Sequence, residues 1–171
     1  MAQETLDYGG PAEPALRIAV LYVDDEPALL ELTTHFLGRS GEFAIDTALS
    51  AKLALEKLRV HGYDVIVADY LMPEMDGIEF LKGLRAAGCT IPFIIFTGKG
   101  REDVAIEAFN SGAQFYLQKG GYPRAQFAEL ADMIRKAAHR HLVGDAPGDT
   151  RRVVHETPLP VADLHAPPSE W

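Results

Sequence analysis

At 171 residues, 47% of them hydrophobic, the chain can form one domain with a real core and is too short for two ordinary domains once its irregular ends are set aside. A formal net charge of -9 leaves too little positive field to hold nucleic acid by phosphate neutralisation, and the single cysteine, Cys89, excludes an intrachain disulfide framework or a cysteine-rich zinc site and fits a reducing compartment. The start, Met1 to Asp7, lacks the basic residues and apolar core of a signal peptide, and no apolar run approaches the roughly 20 residues that span a bilayer, so the expectation is a cytoplasmic protein without nucleic-acid or membrane partners.

Residues 1 to 15, with Gly9-Gly10-Pro11 and Pro14 and no periodicity, read as a flexible leader. Strand-like apolar runs then alternate five times with segments of helical spacing, the pattern of βαβ units and a parallel sheet. The first strand, near Arg17 to Val23, ends in Asp24-Asp25, and Glu26-Pro27 starts a helix with Leu29, Leu32 and Phe36 expected inward. A second strand, Phe43 to Ala48, precedes a helix that Ser50 can cap, with Ala51, Ala54, Leu55 and Leu58 inward. The third, Val65 to Ala68, delivers Asp69 and is followed by a helix carrying Ile78, Leu81 and Leu84.

The fourth strand, Phe93 to Phe96, delivers Thr97 before Gly98, and its helix, near Glu102 to Ser111, offers only Val104, Ala105 and Ala108 inward, so it is expected to be lightly packed and easy to shift. The fifth, Phe115 to Leu117, leads to Lys119 and Gly120-Gly121, then to a helix with Phe127, Leu130, Ile134 and Ala138 inward that fades around His141. From about residue 143, Gly144, Pro147 and four later prolines predict a mobile tail with no room for a helix-turn-helix domain, hence a stand-alone unit acting by protein contact or as a phosphate relay or sink. Strands one, three and four are almost wholly apolar, as strands covered on both faces are.

In a doubly wound sheet the strand exits meet at one crevice. Those exits carry Asp24, Asp25, Asp69, Thr97 and Lys119. Three clustered carboxylates raise one another's pKa unless a cation is supplied, and an all-oxygen set suits magnesium rather than zinc. A hard ion beside a carboxylate, a hydroxyl and an ammonium is equipment for stabilising a transferring phosphoryl group. Taken singly, each residue has a blander reading: Asp69 as a turn acid, Asp24-Asp25 as helix capping, Thr97 as a strand residue, Lys119 as a solvated charge, Tyr116 as core.

Over about residues 16 to 142 the chain resembles the receiver domain of two-component response regulators, on the acid pair after strand one, Asp69 with Met72-Pro73 and Asp76-Gly77, Thr97-Gly98, and Tyr116-Leu-Gln-Lys119. The resemblance implies a flavodoxin-like three-layer α/β sandwich, its five parallel strands in the order 2-1-3-4-5. It implies a phosphoacceptor, Asp69, that takes a phosphoryl group from a sensor histidine kinase or phosphotransfer protein. It also implies Mg2+ held by Asp25 and Asp69, by the backbone carbonyl of Leu71, and by Asp24 mainly through water. Lys119 would pair with the acceptor and then the phosphate, and Thr97 would bond a phosphate oxygen. Thr97 and Tyr116 would be the switch, Tyr116 turning inward to remodel the face of the fourth helix, fifth strand and fifth helix.

Such a domain is no enzyme beyond its own phosphotransfer and dephosphorylation, and is a monomer or a phosphorylation-dependent homodimer. The pattern departs at Gly120-Gly121, where many receivers place a proline after the lysine, which loosens the loop into the last helix. The alternative is a docking domain with the receiver fold that works without phosphorylation. A phosphatase-like hydrolase is disfavoured because Leu71, not an acid, stands two residues after Asp69. His35, His61, His139 and His141 lack metal-ligand spacing, and Gly98-Lys99-Gly100 lacks a full phosphate-loop pattern.

Overall fold

A computed structural model describes residues 17–98 and 101–144, with backbone alone from 142. The expected leader, the tail beyond Gly144, and Lys99-Gly100 lie outside the described residues. The elements are β1 (Ile18–Val23), α1 (Pro27–Gly38), β2 (Phe43–Ala48), α2 (Ala51–Leu58), β3 (Val65–Ala68), α3 (Gly77–Ala86), β4 (Phe93–Thr97), α4 (Glu102–Asn110), β5 (Phe115–Gln118) and α5 (Pro123–Gly144). All four strand pairings are parallel and the sheet order is β2-β1-β3-β4-β5. The doubly wound reading of the sequence therefore holds, strand by strand.

Alternation along the strands divides the core into two layers. On one face Val20, Tyr22, Val65, Val67, Ile94 and Phe96 meet α1 and α5. On the other Leu21, Val23, Ile66, Ala68, Phe93 and Ile95 meet α2, α3 and α4. Each fully buried large apolar side chain contributes about 1.5–3 kcal/mol, so the two layers fix the register of the central strands. Among the described residues, no helix is long and apolar enough to cross a membrane.

The inward face of α1 differs from expectation. Leu30, Thr33 and Leu37 are buried, Leu29 and Phe36 are half-buried, and Leu32 is 38% exposed. The stripe is turned by one residue because a threonine takes a core position below the β1 exit, while the Phe36 ring sits at the margin, stacked on Phe127 of α5 with centroids 4.8 Å apart. Of the other inward positions, Ala51, Ala54 and Leu58 on α2, Ile78, Leu81 and Leu84 on α3, Val104 and Ala108 on α4, and Phe127, Leu130, Ile134 and Ala138 on α5 are buried as the spacing predicts, while Leu55 and Ala105 are half-buried.

Local signals explain the helix starts. Ser50 caps α2 by accepting from the Leu53 N–H. Asp76 caps α3 in a full capping box, with Glu79 returning a carboxylate to the Asp76 N–H. Edge strand β2 is tied to its surroundings by Asp46, whose carboxylate accepts from Lys57 of α2 and from the Tyr63 hydroxyl at 2.6 Å. Arg85, at the end of α3, donates to the carbonyls of Cys89, Ile91 and Gly112, joining the α3–β4 connection to the α4–β5 turn.

Candidate functional site

Register delivers the site. Val23 pairs with Ala68 across β1 and β3, so Asp24 and Asp69 leave adjacent strands at the same level, and the Asp69 N–H donates to the Val23 carbonyl at 2.9 Å. Thr97 pairs with Gln118 across β4 and β5, and the Lys119 N–H donates to the Thr97 carbonyl at 2.7 Å. One carboxylate oxygen from each of Asp24, Asp25 and Asp69 lies within 4.8 Å of the others. Asp24 is fully buried, Asp69 is buried and Asp25 is partly exposed, so the opening of the site is on the Asp25 side.

Lys119 bridges the group, but its closer partner is Asp24 rather than Asp69: its ammonium donates to Asp24 Oδ2 at 2.6 Å and to Asp69 Oδ1 at 3.4 Å. Asp24, at zero exposure, has the greater need of a countercharge. Phe96 lies under the ammonium, 5.5 Å from centroid to Nζ, on the same side of the sheet as Tyr22. The Tyr22 hydroxyl donates to Asp24 Oδ2 at 2.9 Å, and the Glu26 N–H donates to Asp24 Oδ1 at 3.0 Å. Asp24 thus braces the start of α1 locally, as the capping reading allows, while serving the site with its other oxygen. The helix cap itself is Glu26, with no side-chain bond.

Burial pushes the Asp69 carboxyl above its usual range; the Lys119 charge opposes this, Asp24 reinforces it, and a hydrogen bond from Thr97 opposes it again. Burial, and after it the Asp24 carboxylate, pushes the Tyr22 hydroxyl far above the ordinary phenol range. Three carboxylates gathered this closely, two of them buried, are a setting that added positive charge stabilises. The donors are all hard oxygens, so the cluster fits a small divalent cation such as Mg2+ and not a soft-ligand metal. Leu71 follows Asp69 by two residues in the β3–α3 loop, its side chain 42% exposed, leaving its backbone as what it can offer.

The β3–α3 loop is tightly drawn. Glu74 holds a positive φ of 68°, the one such non-glycine among the described residues, and the Gly77 N–H returns to the Tyr70 carbonyl at 2.9 Å. After Lys119, where a proline is absent, Gly121 takes a φ of 83° and the Gln126 amide donates to the carbonyls of Gln118 and Gly120 at 3.0 and 3.1 Å. The loop is therefore braced by a side chain of α5.

Tyr116 stands opposite Ile95, one step along the sheet from Thr97 and on the same face. It packs against the α2/α3/α4 layer, and its hydroxyl oxygen is enclosed without a hydrogen-bond partner. A buried unpaired hydroxyl costs about 1–3 kcal/mol. Tyr116→Phe is accordingly expected to leave the fold unchanged or stabilise it by about 1 kcal/mol, read as the urea midpoint; a clear loss of stability would mean that the hydroxyl has a partner after all.

All the residues singled out at strand exits thus come together. Tyr22 is the member that sequence reasoning passed over, and its signal was present: a hydroxyl two residues before Asp24 lies on the same face of the same strand.

The fold and this acidic crevice define a signalling receiver, and comparison with known proteins agrees. Residues 20–135 match the response regulator receiver domain. The chain is 36% identical over 147 residues to response regulator Rre1 of Synechocystis, covering 85% of this chain and 61% of the relative. It is 33% identical over 118 residues to the alkaline phosphatase synthesis transcriptional regulatory protein PhoP of Bacillus subtilis, covering 69% of this chain and 49% of that protein. Among solved structures, the receiver domain of Francisella response regulator 1452 superposes with a TM-score of 0.67 at 30% identity, covering 73% of this chain and 99% of that one. Chemotaxis protein CheY4 of Vibrio cholerae gives 0.62 at 28% identity, covering 69% and 99%.

The chain belongs to the response regulator receiver family. Receivers are signalling domains rather than classical enzymes; they bind Mg2+ at an acidic pocket and interact with histidine kinases or phosphotransfer proteins. The chain spans about half to three fifths of the length of these curated relatives.

Proposed function

We infer that Asp69 accepts a phosphoryl group from a phosphohistidine of a sensor kinase or phosphotransfer protein, with Mg2+ as cofactor, and that the domain signals by protein contact. The convergence of three carboxylates from two strand exits beside the Lys119 ammonium is the observation that carries this reading. An Asp69 oxygen attacks phosphorus, the phosphorus–nitrogen bond breaks, and the imidazole leaves with the electron pair and takes up a proton. Mg2+, when bound, supplies positive charge for the phosphoryl oxygens in flight.

Asp25, Asp69 and the backbone carbonyl of Leu71 would hold the ion directly, and Asp24 through water. Lys119, already within reach of Asp69, would turn to a phosphate oxygen, and Thr97 would donate its hydroxyl to another. The added charge of about -1.5 to -2 draws Thr97 and its loop, and Tyr116 on the same face answers. The output face is that of α4, β5 and α5, supported by the light anchoring of α4, where Val104 and Ala108 are buried while Ile106 and Phe109 stand half exposed. The net charge of -9 supports protein contact over duplex binding.

Treatment with a small-molecule phosphodonor, with and without Mg2+, followed by intact mass measurement, tests acceptor and cofactor together. One added phosphoryl group, dependent on Mg2+, is expected. Its absence in both arms would leave a docking domain with the receiver fold, and labelling without Mg2+ would remove the cofactor from the account.

A further inference from the structure

The Tyr22 ring is 1% exposed, tilted against Phe96 with centroids 6.4 Å apart, and its hydroxyl reaches up to Asp24 from inside the sheet. Beside it on α1, Thr33 is equally buried. An ionised carboxylate offers about four acceptor positions. Asp24 has three engaged by donors from within the protein: Tyr22 and Lys119 on Oδ2, the Glu26 N–H on Oδ1. Asp25 is the neighbour partly open to solvent, and Asp69 has the longer Lys119 contact and a hydrogen bond from Thr97. The three acids are therefore unequal, and the inequality originates in the donors beneath Asp24.

We propose that Tyr22 is a positioning residue that tethers Asp24, holding its carboxylate back as a hydrogen-bond acceptor and leaving direct coordination of the divalent cation to Asp25 and Asp69. This rests on the reading of the crevice as a Mg2+ site. Of the two donors on Asp24 Oδ2, the Lys119 ammonium also reaches Asp69 and is the one free to turn to a phosphoryl group. Tyr22, locked in the α1/α5 layer, is the one that stays. The tether thus keeps a buried carboxylate compensated through the lysine's move, and stops it from swinging onto the ion in Lys119's place.

Tyr22→Phe keeps the ring and its packing and removes only the hydroxyl. With the Tyr22 bond gone, Oδ2 keeps the Lys119 ammonium, the donor that can turn away, as its partner, so Asp24 becomes a better and more mobile oxygen donor, and the full chain is expected to bind Mg2+ about tenfold more tightly by titration calorimetry, the factor that about 1.4 kcal/mol brings. Placing Tyr22→Phe on an Asp24→Asn background is the second arm: with the tethered carboxylate gone, the tightening is expected to vanish. Unchanged or weaker Mg2+ binding by Tyr22→Phe overturns the tether, and so does equal tightening on both backgrounds, which would trace the effect to packing. A wild-type chain that gives no Mg2+ binding heat and takes no phosphoryl group would overturn the underlying metal-site reading as well, which separates the two failures.

Discussion

Asp69→Asn is expected to reduce phosphoryl incorporation to background, a loss of at least about a thousandfold, while making the metal-free protein more stable. The first effect follows from chemistry: an amide oxygen lacks the charge to attack phosphorus and forms no stable acyl phosphate, and the neighbours Thr97 and Lys119 are donors that assist without substituting. The second follows from electrostatics. Burial and the Asp24 charge hold the Asp69 carboxyl above its usual range despite Lys119 and Thr97, so ionised Asp69 disfavours the folded state.

The sign can be followed through pH. Well below about 3.9, the ordinary aspartate value, Asp69 is protonated folded or unfolded and exerts no differential effect. As pH rises, the unfolded chain ionises first and gains, and the full penalty is present once pH exceeds the raised folded value. Asp69→Asn lacks that penalty. At neutral pH without Mg2+ it is expected to melt about 2–6 °C above wild type, on the order of 1 kcal/mol, and the gap is expected to close on acidification. Mg2+ should raise the wild-type midpoint more than that of the variant. Labelling of Asp69→Asn at the wild-type rate would place the acceptor elsewhere, and a lower midpoint would mean that the Lys119 contact outweighs burial.

Gly77→Ala is expected to cost about 1–3 kcal/mol and to lower the thermal midpoint by roughly 5–15 °C, with labelling falling as well. By helix propensity alone the change, at the first position of α3, would help by up to about 1 kcal/mol. The contact decides otherwise: a methyl group there would lie 2.3 Å from the Asp69 carbonyl oxygen and 3.2 Å from the Tyr70 Cα. Neither atom belongs to a side chain that can rotate away, because Asp69 is fixed by its N–H bond to Val23 and the Gly77 N–H is itself bonded to Tyr70. Relief requires moving the backbone of Asp69 itself. Gly83, in the same helix with no atom within 4 Å of a built Cβ, is the matched control, and Gly83→Ala is expected to stabilise by about 0.5–1 kcal/mol. Equal midpoint shifts in the two variants would defeat the close-approach argument.

The sheet and its crevice were legible because both are written locally. Apolar runs such as Val65–Ala68, short and alternating with segments of helical spacing, read as strands buried on both faces, and the residue after each run is delivered to one edge by the topology. What sequence left open concerns orientation about an element's axis and contacts between distant elements. Thr33 hid the register of α1, since hydropathy assigns a hydroxyl to the outside and Leu32 to the inside, whereas the structure does the reverse. The preference of Lys119 for Asp24 depends on burial, which spacing does not encode. The Asp46–Lys57–Tyr63 group and the carbonyls of two connections gathered by Arg85 join residues far apart in sequence and leave no periodic trace.

The Gln126 amide has a consequence of its own. Where a pyrrolidine would stiffen the segment after the lysine permanently, this chain uses two hydrogen bonds from α5 to the carbonyls on either side of Lys119. A covalent splint cannot be unfastened, but a hydrogen-bonded clasp can, and whatever docks on the first turn of α5 and claims that amide loosens the grip on the lysine from outside.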